Sequence, residues 1–254
     1  MAALFLVVAG LQTVKAQKII LHMPDNQKVE YDVSQLDSIT FEDAKSFPEY
    51  LACPDENHPH AIDLGLPSGT KWCCCNVGAN TPEGYGGYYA WGETTTKSDY
   101  RAGTYKYAVA YDNLAWWDST EQRYYLCTNI GSDIAGTNYD AATVNMGAPW
   151  RMPSTAQQQE LINNCSRQWT QQNGVNGILV TGRNGGQIFL PAAGYRSYDD
   201  LNCAGIRGSY WSSSQNPNSY NDAYNLDFYD DSVWRWRLFT YARGFGLSVR
   251  AVRP

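Results

Sequence analysis

Basic charge is scarce in this 254-residue chain: 19 Lys and Arg stand against 25 Asp and Glu, a formal net charge of −6. That balance excludes the broad basic patch of a nucleic-acid binder and disfavours docking on an anionic membrane surface. Charged residues of either sign total 17%, low for a cytosolic enzyme. Histidine is rarer still, with only His22, His58 and His60, all before residue 61. A hydrolytic triad needs a nucleophile, a base and an orienting group. The body of the chain offers no histidine base, and GxSxG, HExxH and phosphate-loop motifs are absent from the sequence. CxxC pairs are absent too, so the run Cys73-Cys74-Cys75 does not have the spacing of a zinc motif. In a regular strand Cys73 and Cys75 would face one side and Cys74 the other. After the first residues no segment approaches the roughly 20 apolar residues of a membrane helix.

What is abundant is amphipathic aromatic surface: 19 Tyr and 9 Trp against 7 Phe. Such side chains join apolar area to a polar tip and suit binding surfaces. Residues 2–11 form an apolar run of the length of a signal h-region, and Val14-Lys15-Ala16 resembles a cleavage site. Residues 1–16 are therefore expected to be a signal peptide, and the protein exported to the cell surface, the medium or the periplasm. No cysteine follows the run to carry a lipid anchor. In that setting disulfides are allowed, and seven cysteines leave at least one thiol over.

Residues 17–43 read as a small β unit: strands near 18–23 and 28–33 around a Pro24-Asp25-Asn26 turn, one helical turn at 34–38 and a strand at 39–41. Residues 44–60, with Pro48, Pro54 and Pro59, read as a linker; His58-Pro59-His60 could bind metal weakly but reads first as solvated linker residues. Residues 61–254 form the main domain. Strands are expected at 61–64 and 71–77 about the Pro67-Ser68-Gly69 turn. Residues 94–132 read as surface loop with little regular structure. Asp140 is placed to cap a short helix. A second helix should start at Ser154 with a Ser154/Gln157 capping box, closed by Asn173-Gly174. A hairpin should follow about Arg183-Asn184-Gly185-Gly186. Strands at 210–213, 223–229, 233–239 and 245–252 complete an α+β reading: one or two helices and an antiparallel sheet.

Several strings carry a family likeness: Ile62-Asp63-Leu64-Gly65-Leu66-Pro67-Ser68-Gly69-Thr70-Lys71-Trp72, Tyr88-Tyr89-Ala90-Trp91-Gly92-Glu93, Trp150-Arg151-Met152-Pro153-Ser154, Phe189-Leu190-Pro191-Ala192-Ala193-Gly194-Tyr195, Tyr210-Trp211-Ser212-Ser213 and Gly246-Leu247-Ser248-Val249-Arg250. In this order they resemble the Fibrobacter succinogenes major paralogous domain of exported Bacteroidetes proteins. The resemblance implies a C-type-lectin-like fold, shared with formylglycine-generating enzymes. It also implies a comparison with variable proteins of diversity-generating retroelements, which display Tyr, Asn, Asp and Ser in a hypervariable C-terminal region. The likeness also covers Cys75-Asn76-Val77-Gly78-Ala79, and Cys75 and Cys165 sit inside matched regions, which makes them the disulfide candidate under this resemblance.

The expected ligand surface is 209–241. Alternation in 223–229 sets Tyr224, Leu226 and Phe228 on one face and Asn225, Asp227 and Tyr229 on the other. The second set is expected to face outward. Asp230-Asp231-Ser232 is expected to be a tight hairpin tip. With Tyr220, Asn221, Asp222, Trp234, Arg235, Trp236, Arg237 and Tyr241 these residues make the candidate binding set, drawn from types enriched at binding hot spots. No catalytic residue and no metal ligand is expected, and the chain does not read as an enzyme. Calcium is the one ion weighed, because Gln215-Asn216-Pro217-Asn218 with Asn221-Asp222 faintly echoes lectin calcium motifs. The expected function is recognition or adhesion toward a protein or glycan. Alternatives are a surface-appendage subunit assembling through the N-terminal β unit, and a cysteine-dependent oxidase centred on Cys203.

Overall fold

The structure, a computed structural model, describes residues 18–22, 28–32, 55, 57–111, 116–120, 122–230 and 236–254. The signal peptide, the helical turn and the strand expected at 39–41 lie outside them. The chain divides into two units, one ending at residue 49 and one running from residue 50 to 254. In the first, β1 (Lys18–His22) and β2 (Lys28–Asp32) form an antiparallel hairpin with Lys18 opposite Asp32 and His22 opposite Lys28.

The second unit is mostly antiparallel β, with two α-helices among the described residues. Its first strands are β3 (Ala61–Asp63) and β4 (Lys71–Asn76), joined by a turn in which Gly69 donates to Leu66 O over 2.9 Å. The last strand of the chain, β16 (Arg250–Arg253), pairs with β4 on its other side. Between the pairs Arg250–Asn76 and Val252–Trp72, β4 carries more residues than β16. The excess forms a bulge at Cys73–Cys75. Trp72 and Val252 pack into one core cluster with Leu161, Ile178 and Phe228, and Cys73–Cys75 and Ala251 into another with Trp91, Trp211 and Val249. The β3–β4–β16 sheet thus stands between two cores.

The segment 94–132 departs from expectation. It contains a three-stranded sheet of β5 (Ala108–Tyr111), β6 (Trp116–Asp118) and β7 (Arg123–Cys127), with β7 central. Its signal in the sequence is short: Tyr125 and Cys127 alternate inward at 7% and 4% exposure, while Arg123 faces out.

Helix α1 (Ala141–Met146) starts where Asp140 accepts from Ala142 N and Thr143 N. Helix α2 (Thr155–Asn164) carries the expected capping box between Ser154 and Gln157. It ends earlier than expected, at Asn164. Asn173-Gly174 instead turns a hairpin between β8 (Ser166–Gln172) and β9 (Val175–Thr181), with φ of 47° and 82°. An Asn-Gly pair serves both as helix stop and as hairpin turn, and here the turn wins. β9 pairs onward with β10 (Gln187–Pro191) in the expected hairpin, with Gln187 opposite Thr181. A Cβ on Gly182 or Gly186 would overlap the carbonyls of Leu64 and Asp63, so this hairpin needs glycine to seat on the end of β3.

The chain continues through a small ladder of β11 (Tyr195–Ser197) and β12 (Asp200–Asn202). It then enters a sheet ordered β13 (Arg207–Gln215), β14 (Asp222–Tyr229) and β15 (Arg237–Ala242). β14 runs to Tyr229 and β15 starts at Arg237, so 230–236 separate the two strands; of the tight tip expected at 230–232, residues 231 and 232 lie outside the described residues.

Many of the abundant Tyr and Trp residues are structural. Trp72, Trp91, Trp211, Tyr100 and Tyr210 are at most 2% exposed. Trp72 Nε1 has no hydrogen-bond partner among the described residues, but the polar tips of the other four donate to backbone carbonyls. Trp211 Nε1 donates to Tyr89 O over 2.7 Å, Trp91 Nε1 to Ser212 O over 2.9 Å, Tyr210 Oη to Pro191 O and Tyr100 Oη to Tyr88 O, both over 2.6 Å. An unmade bond at such a buried group costs about 1–3 kcal/mol, so the pairing is what lets a loop-rich domain be buried.

Candidate functional site

The expected binding surface maps onto the β13–β14–β15 sheet, and the alternation along β14 is as read. Leu226 and Phe228 enter the same core as Trp72. The opposite face carries Arg207, Ser209 and Trp211 from β13, Asn225, Asp227 and Tyr229 from β14, and Arg237, Phe239 and Tyr241 from β15. The outward placement of Asn225 and Asp227 is wrong: both are fully buried. β14 is the central strand, and its polar face is itself covered. Alternation distinguishes two faces but does not say that either is open to water.

What covers this face is a box of aromatic rings around one ion pair. Arg207 Nε donates to Asp227 Oδ1 over 2.7 Å, and Ser209 Oγ donates to the same oxygen over 3.0 Å. Arg237 stands 3.8 Å from Asp227 Oδ2. The Arg207 guanidinium lies 4.7 Å from the Tyr229 ring centre, 4.8 Å from Tyr241 and 5.2 Å from Tyr195. Each is a cation–π distance, worth about 0.5–2 kcal/mol according to desolvation. Phe245 stacks on Tyr195, and Phe239 meets Tyr241 edge-on. Burial pushes the Asp227 carboxyl above its ordinary value, with Arg207 opposing the shift. Arg207 is desolvated too, but Asp227 more than offsets that and holds it above the usual guanidinium value.

Beside this pair, both amide atoms of buried Asn225 lack a hydrogen-bond partner among the described residues. Asn225 sits in register between Trp211 and Phe239, and Phe239 is 39% exposed. An orphaned buried amide costs desolvation energy and marks a place where water or a ligand group is wanted.

The remaining candidates divide. Tyr220 is 59% exposed and Asp230 is exposed. Tyr224, Tyr229, Arg237 and Tyr241 are half-buried. Trp236, one of the candidate binding set, is not available to a ligand: it is 6% exposed in the core, with Arg167 over its ring. Asp231, Trp234 and Arg235 lie outside the described residues. Asn221, with its half-buried neighbour Asp222, is a structural clasp: its Oδ1 accepts from Cys127 N over 2.9 Å. In the segment weighed for calcium, Asn216 Oδ1 accepts from Asn218 N over 3.0 Å, ordinary turn chemistry. Sequence reasoning missed Tyr195, Arg207, Phe239 and Phe245. The first two come from other segments, and only the fold brings them to the box.

The disulfide candidate is corrected. None of Cys73, Cys74, Cys75, Cys127, Cys165 and Cys203 is in a disulfide. Cys75 packs in one core cluster and Cys165, at the end of α2, against the other. His58 and His60 are not solvated linker either: both are half-buried against β4.

A cavity of about 680 Å³ lies on the far side of β11, lined by Tyr88, Tyr89, Tyr100, Lys97 and Arg196 among others. Arg196 lies 5.3 Å from the Tyr88 ring centre, and Lys97 Nζ donates to Glu93 Oε1 over 3.0 Å. Its size is that of small-ligand sites.

No family model, no curated protein and no solved structure matches this chain.

Proposed function

We propose that this is an exported recognition protein that holds a protein or glycan ligand on the polar face of its C-terminal sheet, without chemistry. The observation that carries the reading is the orphaned Asn225 amide beside the Arg207–Asp227 pair, under a rim of Tyr229, Arg237, Phe239 and Tyr241. Rigid aromatic groups with few rotamers give contact area at low entropic cost, and the arginines and the amide give hydrogen-bond specificity. The motif resemblance supports a C-type-lectin-like scaffold for this display, as does the pairing of the domain's last strand with β4, one of its first. Were the region diversified, the positions open to variation would be Tyr220, Asp230 and the half-buried rim. Asp227, bonded to Arg207 and Ser209, would stay fixed.

The test is an array of glycans and surface proteins probed with the mature protein, with and without calcium, followed by the double variant Arg237→Ala/Phe239→Ala. Capture should fall at least tenfold with the melting temperature unchanged. Unchanged capture would refute this site, and loss on Arg196→Ala instead would move it to the cavity beside Tyr88.

A further inference from the structure

Away from the C-terminal sheet, three metal-ligating side chains, His58, Cys74 and Cys75, meet at the bulge of β4, and His60 approaches Cys74 beside them. Cys74 Sγ lies 3.5 Å from His58 Nδ1, 3.8 Å from His60 Nδ1 and 3.4 Å from Cys75 Sγ. The ligand atoms of His58, Cys74 and Cys75 all lie within 4.8 Å of one another. In a tetrahedral zinc site with Zn–S near 2.3 Å and Zn–N near 2.0–2.1 Å, neighbouring ligand atoms are about 3.3–3.8 Å apart. The three distances from Cys74 are close to the edges of such a tetrahedron.

The sequence hides this site because neighbouring cysteines on a regular strand point to opposite faces. The bulge removes that constraint and brings the sulfurs of Cys74 and Cys75 to the same side. Arg250 holds the bulge in shape. Its guanidinium donates to the carbonyls of Cys73 and Cys74, to Asn76 Oδ1 over 2.8 Å and to Phe189 O over 2.8 Å. The histidine segment is tied to the same strand from both directions. Cys74 N donates to His60 O over 3.0 Å, and His60 N donates to Cys74 Sγ over 3.0 Å. These two bonds hold the Cys74 sulfur against the histidine segment. The far nitrogen of His60, Nε2, meets Asp55 Oδ1 at 3.1 Å. A carboxylate on the outer nitrogen fixes ring orientation, as around many zinc-bound histidines. The sulfurs are at most 1% exposed and the His60 side chain is 18% exposed, so an ion would enter from the histidine side.

We propose that His58, Cys74 and Cys75, with His60 closing the fourth position, form a tetrahedral site for one zinc ion that clips residues 58–60 to β4. Two thiolates and two imidazoles select a soft or borderline ion over calcium or magnesium. The role is structural, since all four positions are filled by protein.

The test uses the full mature chain, reduced and stripped with chelator, then titrated with cobalt(II) and zinc. Cobalt should give sulfur-to-metal charge transfer and tetrahedral d–d bands saturating at one equivalent. Zinc should displace it and raise the melting temperature. Cys74→Ser, Cys75→Ser and His58→Ala should abolish the charge-transfer band or weaken zinc at least a hundredfold. His60→Ala should weaken it about ten- to a hundredfold. Cys127→Ser, at a distant thiol, should leave it unchanged. His58→Ala removes a half-buried ring near the start of the domain, so its folding is checked independently by circular dichroism. If the serine variants fail to fold, that variant decides. Absence of charge transfer in the wild-type protein, equal binding by His58→Ala, or a stable Cys74–Cys75 disulfide in place of metal uptake would overturn the proposal.

Discussion

Arg207 and Asp227 form their 2.7 Å bond at 5% and 0% exposure, inside a box of tyrosine rings on the covered face of the C-terminal sheet. Removing one partner of such a buried pair leaves a charge without compensation, at a cost of about 3–5 kcal/mol. Asp227→Ala should therefore lower the urea midpoint by that equivalent. Arg207→Met/Asp227→Leu should recover most of the loss, because it removes both charges and keeps volume. Equal destabilisation by the single and double variants would mean that the pair is not what stabilises the sheet.

Asp140 satisfies four backbone donors at once: Ala142 N and Gly136 N at 2.8 Å, Met152 N at 2.9 Å and Thr143 N at 3.1 Å. Two belong to the helix cap and two to the loops that flank it. Asp140→Ala should cost about 2–4 kcal/mol, more than a simple cap. Hydrogen exchange should speed up at Gly136 and Met152 as well as in α1.

Gly182 and Gly185 give a paired steric test. A Cβ at Gly182 would overlap Leu64 O, whereas at Gly185, with φ of +85°, nothing lies within 4 Å. Gly182→Ala should destabilise by about 1–3 kcal/mol through overpacking against backbone. Gly185→Ala should cost about 1 kcal/mol, from backbone strain alone. A reversed ranking in thermal melts would contradict the docking of the β9–β10 hairpin on β3.

Alkaline pH should unfold the protein in stages. Burial pushes the Cys127 and Cys165 thiols from 9.0 up to about 11, and Tyr210 up to about 12. Burial raises Tyr88, Tyr105 and Tyr241 as well. A raised folded pKa means that the unfolded chain loses the proton first. Stability is thus complete below pH 9.0 and is lost as pH rises through about 11 and 12. Tyrosinate absorbance should appear together with loss of the folded circular dichroism signal. Tyrosinate forming fully before unfolding would contradict the burial.

The parts legible in sequence were those decided locally. The Ser154–Gln157 capping box, the Asp140 cap and the β9–β10 hairpin each depend on residues a few positions apart. The alternation of Leu226 and Phe228 also held. What failed depended on distant partners. Asn225 and Asp227 are buried because Arg207 and Tyr195 arrive from other segments. Trp236 is core because Arg167 and the β8–β9 layer receive it. The His58–Cys74 approach depends on a bulge held by Arg250, which no spacing rule encodes. A histidine pair flanking a proline, just ahead of a cysteine-rich edge of the domain, was the one signal that could have found it.

Arg250 has a temporal consequence as well. Its bond to Asn76 spans 174 positions, and β4 has no partner on that side until the final strand is present. Contacts so far apart in sequence form slowly. Until the chain is complete, Cys73, Cys74 and Cys75 therefore stay uncovered on that side, open to any oxidant or metal they meet. Closure by the last four paired residues is the step at which those sulfurs stop being reagents and become interior.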